Sequence, residues 1–165
     1  MLSGILKKED CAVCRFCCSF RRTSLWETPV FTKENIDTIK ADPSLDDSVL
    51  NVIKKDGYCF AKYDLSGKYK TDDVSEEVPC PYLGENGCIL SDDEKPWDCK
   101  IWPLRVMNKD GEIVVALTPT CPSINRLDFE CVKEFVNANL IKDITEYANV
   151  HPFLIKEYRS DFPII

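Results

Sequence analysis

Residues 11–18 read CAVCRFCC: four thiols in eight positions, two of them adjacent. The chain holds ten cysteines in all, and most are not scattered: Cys11, Cys14, Cys17 and Cys18 are followed by Cys80, Cys88, Cys99 and Cys121, with Cys59 and Cys131 besides. A C-x2-C turn returns two thiolates to one centre, as in zinc knuckles and iron–sulfur loops. Extending it to C-x2-C-x2-C reproduces the first three ligands of a bacterial ferredoxin loop. Here the next cysteine is adjacent rather than three residues on, and no Cys-Pro follows locally. Cys-Pro occurs instead at Cys80-Pro81 and Cys121-Pro122, where proline biases the preceding cysteine toward an extended shape that projects its sulfur from a loop.

The adjacent pair raises a geometric question. In an extended segment neighbouring side chains point to opposite faces, so Cys17 and Cys18 are expected to serve different centres, or one ligates while the other packs or reacts. A strained Cys17–Cys18 disulfide is a further option. Ten cysteines also allow five disulfides, but that needs an oxidising compartment. The start, MLSGILKKED, carries two lysines and no apolar core, so no secretory leader is expected, and reduced thiols in the cytoplasm are the working expectation. Soft thiolates select zinc or iron–sulfur over magnesium or calcium. The lone His151 lies far along the chain and reads as a helix-start or surface residue. No Ser/His/Asp set and no nucleotide-binding glycine loop is available, so catalytic residues are unknown from sequence.

The elements that must hold these thiols read as follows. Thr32 caps a helix running to about Lys40. Leu45, Val49, Leu50 and Ile53 give a helical spacing over Ser44–Lys55, with Gly57 as its stop. Tyr58 to Tyr63 alternates as a strand, turns at 64–67 and returns at Lys68–Lys70. Leu104–Met107 and Glu112–Ala116 flank an Asp110-Gly111 hairpin turn. From Ser123 the chain reads as helical, with Leu127, Cys131, Phe135 and Val136 on one face, so that Cys131 is core; Leu140–Ala148 and Pro152–Tyr158 complete a helical tail. Between Val78 and Pro103 there is little periodicity but three cysteines, a stretch that a metal would order.

Composition restricts the partners. With 165 residues, 44% hydrophobic and 30% charged, the chain is globular in type, and no run approaches the roughly 20 apolar residues of a membrane span. A net charge of -7 argues against nucleic acid, whose phosphates need a basic face. The metal or cluster is the one partner expected, with no membrane, no nucleic acid and no identifiable protein partner. Arg15, Arg21, Arg22, Lys100 and Arg105 lie near cysteines in sequence and offer cations to an anionic thiolate site, while Trp26, Trp97 and Trp102 offer apolar cover.

The order Cys11-Ala12-Val13-Cys14-Arg15-Phe16-Cys17-Cys18, Val78-Pro79-Cys80-Pro81-Tyr82-Leu83, Gly87-Cys88-Ile89-Leu90, Lys95-Pro96-Trp97-Asp98-Cys99-Lys100 and Trp102-Pro103 resembles the YkgJ-type cysteine-cluster proteins. These are described as a zinc- or iron-chelating CxxCxxCC domain related to flagellin lysine N-methylases. Phe31–Ile36 is similar to a short segment of that family as well. Arg15, Leu90 and Lys95 depart from it, standing where glycine, tyrosine and arginine are common. Arg15 changes the backbone shape of the ligand loop or brings positive charge to it.

The resemblance implies metal ligation by Cys11, Cys14, Cys17, Cys18, Cys80, Cys88, Cys99 and Cys121, with Cys59 and Cys131 outside the set. Eight thiolates suit two centres, or one with surplus thiols. The reading is a metal-binding protein holding iron–sulfur clusters, favoured, or Zn2+, with a redox or metal-handling role. The alternative is an iron–sulfur enzyme akin to protein lysine N-methylases. The expected fold is a small single α+β domain over 1–165, with short hairpins, irregular cysteine loops around the metal in 11–122, and a helical C-terminal segment over 123–165.

Overall fold

The computed structural model describes residues 4–6, 8–21, 28–64 and 77–165. The chain is α+β, with small sheets, short helices and a helical C-terminal segment. It gathers into two compact units, one formed by Cys11–Cys99 and the other by the first ten residues with Lys100–Ile165.

Helix α1 (Lys8–Cys14) carries the first two cysteines, and a 3-10 turn (Phe16–Cys18) carries the adjacent pair into strand β1 (Ser19–Arg21). Strand β2 (Phe31–Thr32) leads into helix α2 (Lys33–Ala41), where Thr32 is the N-cap as expected. Its side chain accepts from the Asn35 backbone while Asn35 Oδ1 accepts from the Thr32 N–H at 3.2 Å, a reciprocal capping box. The Asn35 side chain also donates to the carbonyls of Asp93 at 3.2 Å and Lys95 at 3.3 Å. One buried amide thus ties the helix start to a distant loop.

The helix expected over Ser44–Lys55 is not formed. Asp46 caps one 3-10 turn (Asp47–Val49), and Leu50–Lys55 is strand β3, paired antiparallel with β4 (Tyr58–Tyr63) from Leu50↔Tyr63 to Lys55↔Tyr58. The physical reason is Asp56-Gly57. Both residues take positive φ, 51° and 81°, which is the backbone of a tight hairpin turn and not a helix stop. Val52 and Ile53 are β-branched and suit the ladder. Strand β2 pairs on the other edge of β4. The return expected at Lys68–Lys70 lies outside the described residues.

Strand β5 (Glu77–Pro79) pairs antiparallel with β1, and β6 (Leu83–Gly84) forms a small hairpin with β7 (Gly87–Cys88) before helix α3 (Trp97–Lys100). The core of this unit joins Phe31, Ile36, Ile39, Val49, Leu50, Ala61, Tyr82 and Leu90, with Leu45, Tyr63 and Cys80 packed on it.

In the other unit the expected hairpin is present: β8 (Leu104–Lys109) and β9 (Glu112–Leu117) turn at Asp110-Gly111, φ 53° and 94°. Helices α4 (Phe129–Asn139) and α5 (Ile141–Val150) follow. The tail differs from expectation beyond them. Only Pro152–Leu154 is helical, as a 3-10 turn, and Lys156–Glu157 is strand β10, parallel to β8. The buried face of α4 is Val132 and Val136, four residues apart. Leu127 and Cys131 are exposed, because Leu127 precedes the cap residue Asp128 and Cys131 sits in the first turn, donating its N–H to Asp128 Oδ1 at 3.1 Å. Core packing of Cys131 is therefore corrected.

Asn35→Ala removes one capping acceptor and two bridging donors at a buried position. It is expected to lower unfolding free energy by about 2–3 kcal/mol in urea denaturation. A change under about 0.5 kcal/mol, the level of an ordinary surface substitution, would contradict the bridging role.

Candidate metal centre

Two cysteine-bearing segments meet on a short ribbon. The β1–β5 register pairs Ser19↔Pro79, Phe20↔Val78 and Arg21↔Glu77. Continued by one step, it sets Cys18 opposite Cys80, and the Cys80 N–H donates to the Cys18 carbonyl at 2.7 Å. Phe20 and Val78 are buried and hold the ribbon to the core. Beyond Cys80 the chain turns tightly, with the Leu83 N–H on the Cys80 carbonyl at 2.9 Å and Leu83 paired with Cys88. Cys99 enters from α3, its N–H on the Pro96 carbonyl at 3.0 Å.

The premise that Cys17 and Cys18 point apart does not hold. The pair lies in a 3-10 turn rather than an extended segment, and the two sulfurs are 4.0 Å apart and hydrogen-bonded. This is twice the length of a disulfide bond, and none of the ten cysteines forms a disulfide.

Electrostatics bind the thiols into one network. Cys17 is pushed far up because its thiol donates to Cys18, because it is buried, and because charge on Cys18, Cys99 and Cys11 opposes its ionisation. Cys18 is brought down to about 7, first by that donated hydrogen bond and also by Arg15 and Lys95, against the effect of burial. Cys80 is pushed up to about 11 by burial, although Tyr63 and the Tyr82 backbone donate to it; charge on Cys18 and Cys88 adds to the rise. Desolvation raises Cys88 also, with Lys95 opposing and Cys18 assisting. Cys11, Cys17, Cys18, Cys80, Cys88 and Cys99 therefore sense one another, with Cys17 linked to Cys11 and Cys99, and Cys18 to Cys80 and Cys88.

Arg15 meets one of the two expectations for its departure from glycine: its charge lowers Cys18. Its backbone does not depart, keeping the left-handed φ of 51° that glycine favours. The guanidinium also donates to the Ala12 carbonyl at 3.0 Å and to the Glu85 carbonyl, lashing the α1 end to the β6–β7 turn. Lys95 was not among the cations expected from sequence. Its place near Cys99 in the chain was the available signal, and its long side chain does the work. Tyr63 was missed entirely: its hydroxyl lies 3.2 Å from Cys80 Sγ, and its ring packs 5.1 Å from Phe31 and 5.7 Å from Phe20. No local motif marks it, because the contact depends on β4 forming.

The remaining candidates are placed as follows. Cys121 is buried in the unit that contains Lys100–Ile165. Arg105 belongs to that unit too, buried with its guanidinium 4.7 Å over the Trp102 ring. Cys14 lies on α1 and is exposed, and Cys59 is half-buried on β4. His151 caps the turn after α5, its ring 4.3 Å from that of Tyr147. Trp97 is half-buried at the start of α3. Trp26 and Arg22 lie outside the described residues.

Among the described residues no group of three or more His, Cys, Asp or Glu side chains is drawn together tightly enough to hold a metal ion. The donor chemistry fits a thiophilic metal, being all sulfur with cations beside it. The coordination shell is not closed, and loading would require the sulfurs to draw in. Likewise, among the described residues no helix is long and apolar enough to cross a membrane.

In metal-free protein, the alkylation rate of Cys18 is expected to titrate with a midpoint near pH 7, and Cys17→Ala should move it upward toward an ordinary thiol by removing the donated hydrogen bond. An unchanged midpoint in the variant would contradict the pairing. Against models of protein families, curated proteins and solved structures, the chain has no match.

Proposed function

We propose that this protein binds metal through cysteine thiolates in the Cys11–Cys99 unit, as an iron–sulfur cluster in preference to zinc, and that it belongs with the YkgJ-type cysteine-cluster proteins. The observation that carries the reading is the electrostatic network of six thiols drawn from two segments far apart in sequence. Buried thiols that merely fill a core are scattered and apolar in their surroundings. These are grouped, and Arg15 and Lys95 stand beside them as cations that would offset the negative charge of a polythiolate site.

The ferredoxin-like triple in Cys11–Cys17 favours iron over zinc. When bound, such a group would supply electron transfer or a structural clasp. The chain's own residues would hold it through Cys17, Cys18, Cys80 and their neighbours, and Tyr63 would donate to the Cys80 sulfur. We place the protein in the cytoplasm, where thiols stay reduced and available for metal.

Purification without oxygen, followed by metal and acid-labile sulfide analysis and an absorption spectrum, tests the assignment. The expected result is a brown protein with iron and sulfide in matching amounts. A colourless protein with stoichiometric zinc and no sulfide would overturn the iron–sulfur choice, and a protein that takes up neither metal would overturn the metal reading altogether.

A further inference from the structure

One thiol–thiol contact in the structure is between sequence neighbours. Cys17 and Cys18 Sγ stand 4.0 Å apart, in a turn held by the Cys18 N–H on the Arg15 carbonyl at 3.0 Å and the Ser19 N–H on the Phe16 carbonyl. Two thiols so placed have two chemical outcomes: they join to each other, or both grip a third atom.

Joining is disfavoured by the backbone. Disulfides span Cα separations of roughly 4.4–6.8 Å, and consecutive Cα atoms across a trans peptide are about 3.8 Å apart. A disulfide here would be strained and readily reduced. Gripping a third atom suits the geometry. Two sulfurs each bound at about 2.3 Å to one tetrahedral centre stand roughly 3.8 Å apart, close to the 4.0 Å observed. Both cysteines keep some exposed surface, and the next residue back, Phe16, is itself exposed, so a small reagent can approach.

We propose that Cys17 and Cys18 act as one vicinal dithiol that captures a single thiophilic centre, a soft metal ion or a trivalent arsenical, through both sulfurs. The metal-ion arm rests on the thiolate-centre reading above; the arsenical arm does not. With an aryl arsenoxide, the As=O bond breaks and two As–S bonds form. The two thiol protons leave with the oxygen as water, the arsenic stays trivalent, and no electrons are transferred. With a metal ion, the two thiols lose their protons to solvent and both thiolates bind the ion.

The test uses the full-length metal-free protein, reduced, with phenylarsine oxide as the probe and peptide mapping after alkylation as the readout. The expected result is one equivalent of arsenical on the peptide that holds Cys17 and Cys18, with both sulfurs protected from alkylation. Cys17→Ser and Cys18→Ser should each weaken capture there by about tenfold or more, because the second bond then loses its high effective concentration. An arsenical that bridges Cys18 to Cys80, or that leaves both Cys17 and Cys18 open to alkylation in the unsubstituted protein, would overturn the proposal without recourse to any variant. Metal uptake by a second portion of the same protein, offered ferrous iron with sulfide or zinc in place of the arsenical, separates the two readings. Metal uptake with no arsenical on the pair sinks the dithiol and spares the metal centre; arsenical on the pair with no metal uptake does the reverse.

Discussion

The site depends on one backbone hydrogen bond and the short ladder behind it. The Cys80 N–H on the Cys18 carbonyl, at 2.7 Å, closes the β1–β5 ribbon at the point where the first cysteine segment ends and the second begins. Three residue pairs are a small ladder, and bringing distant ends of a chain together carries an entropic cost that grows slowly with loop length. The ladder is held because its middle pair, Phe20 and Val78, is buried, and because Tyr63 spans from the Phe20 ring to the Cys80 sulfur. Packing therefore places the thiols first, and their chemistry follows from that placement.

Grouping thiols has an electrostatic consequence. Each ionised sulfur opposes the next, and burial opposes all of them, so Cys17, Cys80 and Cys88 hold their protons while Cys18 gives its proton up most easily. Arg15 and Lys95 reduce this opposition, and Arg15 also lashes the first cysteine loop to the β6–β7 turn. A thiophilic cation would relieve it far more, at the expense of releasing protons. This links metal loading to the same arrangement that raises the thiols in its absence.

Much of the local structure was legible in the sequence, where a short-range rule decides it. Thr32 announced the α2 cap, and Asp110-Gly111 announced the β8–β9 turn. An Asp-Gly pair also stands at Asp56-Gly57, but the helical spacing of four apolar residues upstream makes Gly57 look like a helix stop. The β-branched pair Val52-Ile53 and the partner strand β4 decided otherwise. Cys131 falls on an apolar face only if the helical spacing starts at Leu127, which lies outside the helix. The cysteine segments were legible as a set by residue type and spacing. Their geometry was not: the 3-10 turn that swings Cys18 toward Cys17, and the Tyr63 contact, both arise from tertiary placement with no local signature.

The central claim is that Cys18 and Cys80, joined across the ribbon, serve the same metal. Metal stoichiometry of Cys18→Ser and Cys80→Ser, each measured beside the unsubstituted protein, tests it most directly. Both variants are expected to lose the same metal equivalent. Full metal content in Cys80→Ser beside a loss in Cys18→Ser would contradict it, since the two segments would then hold metal independently.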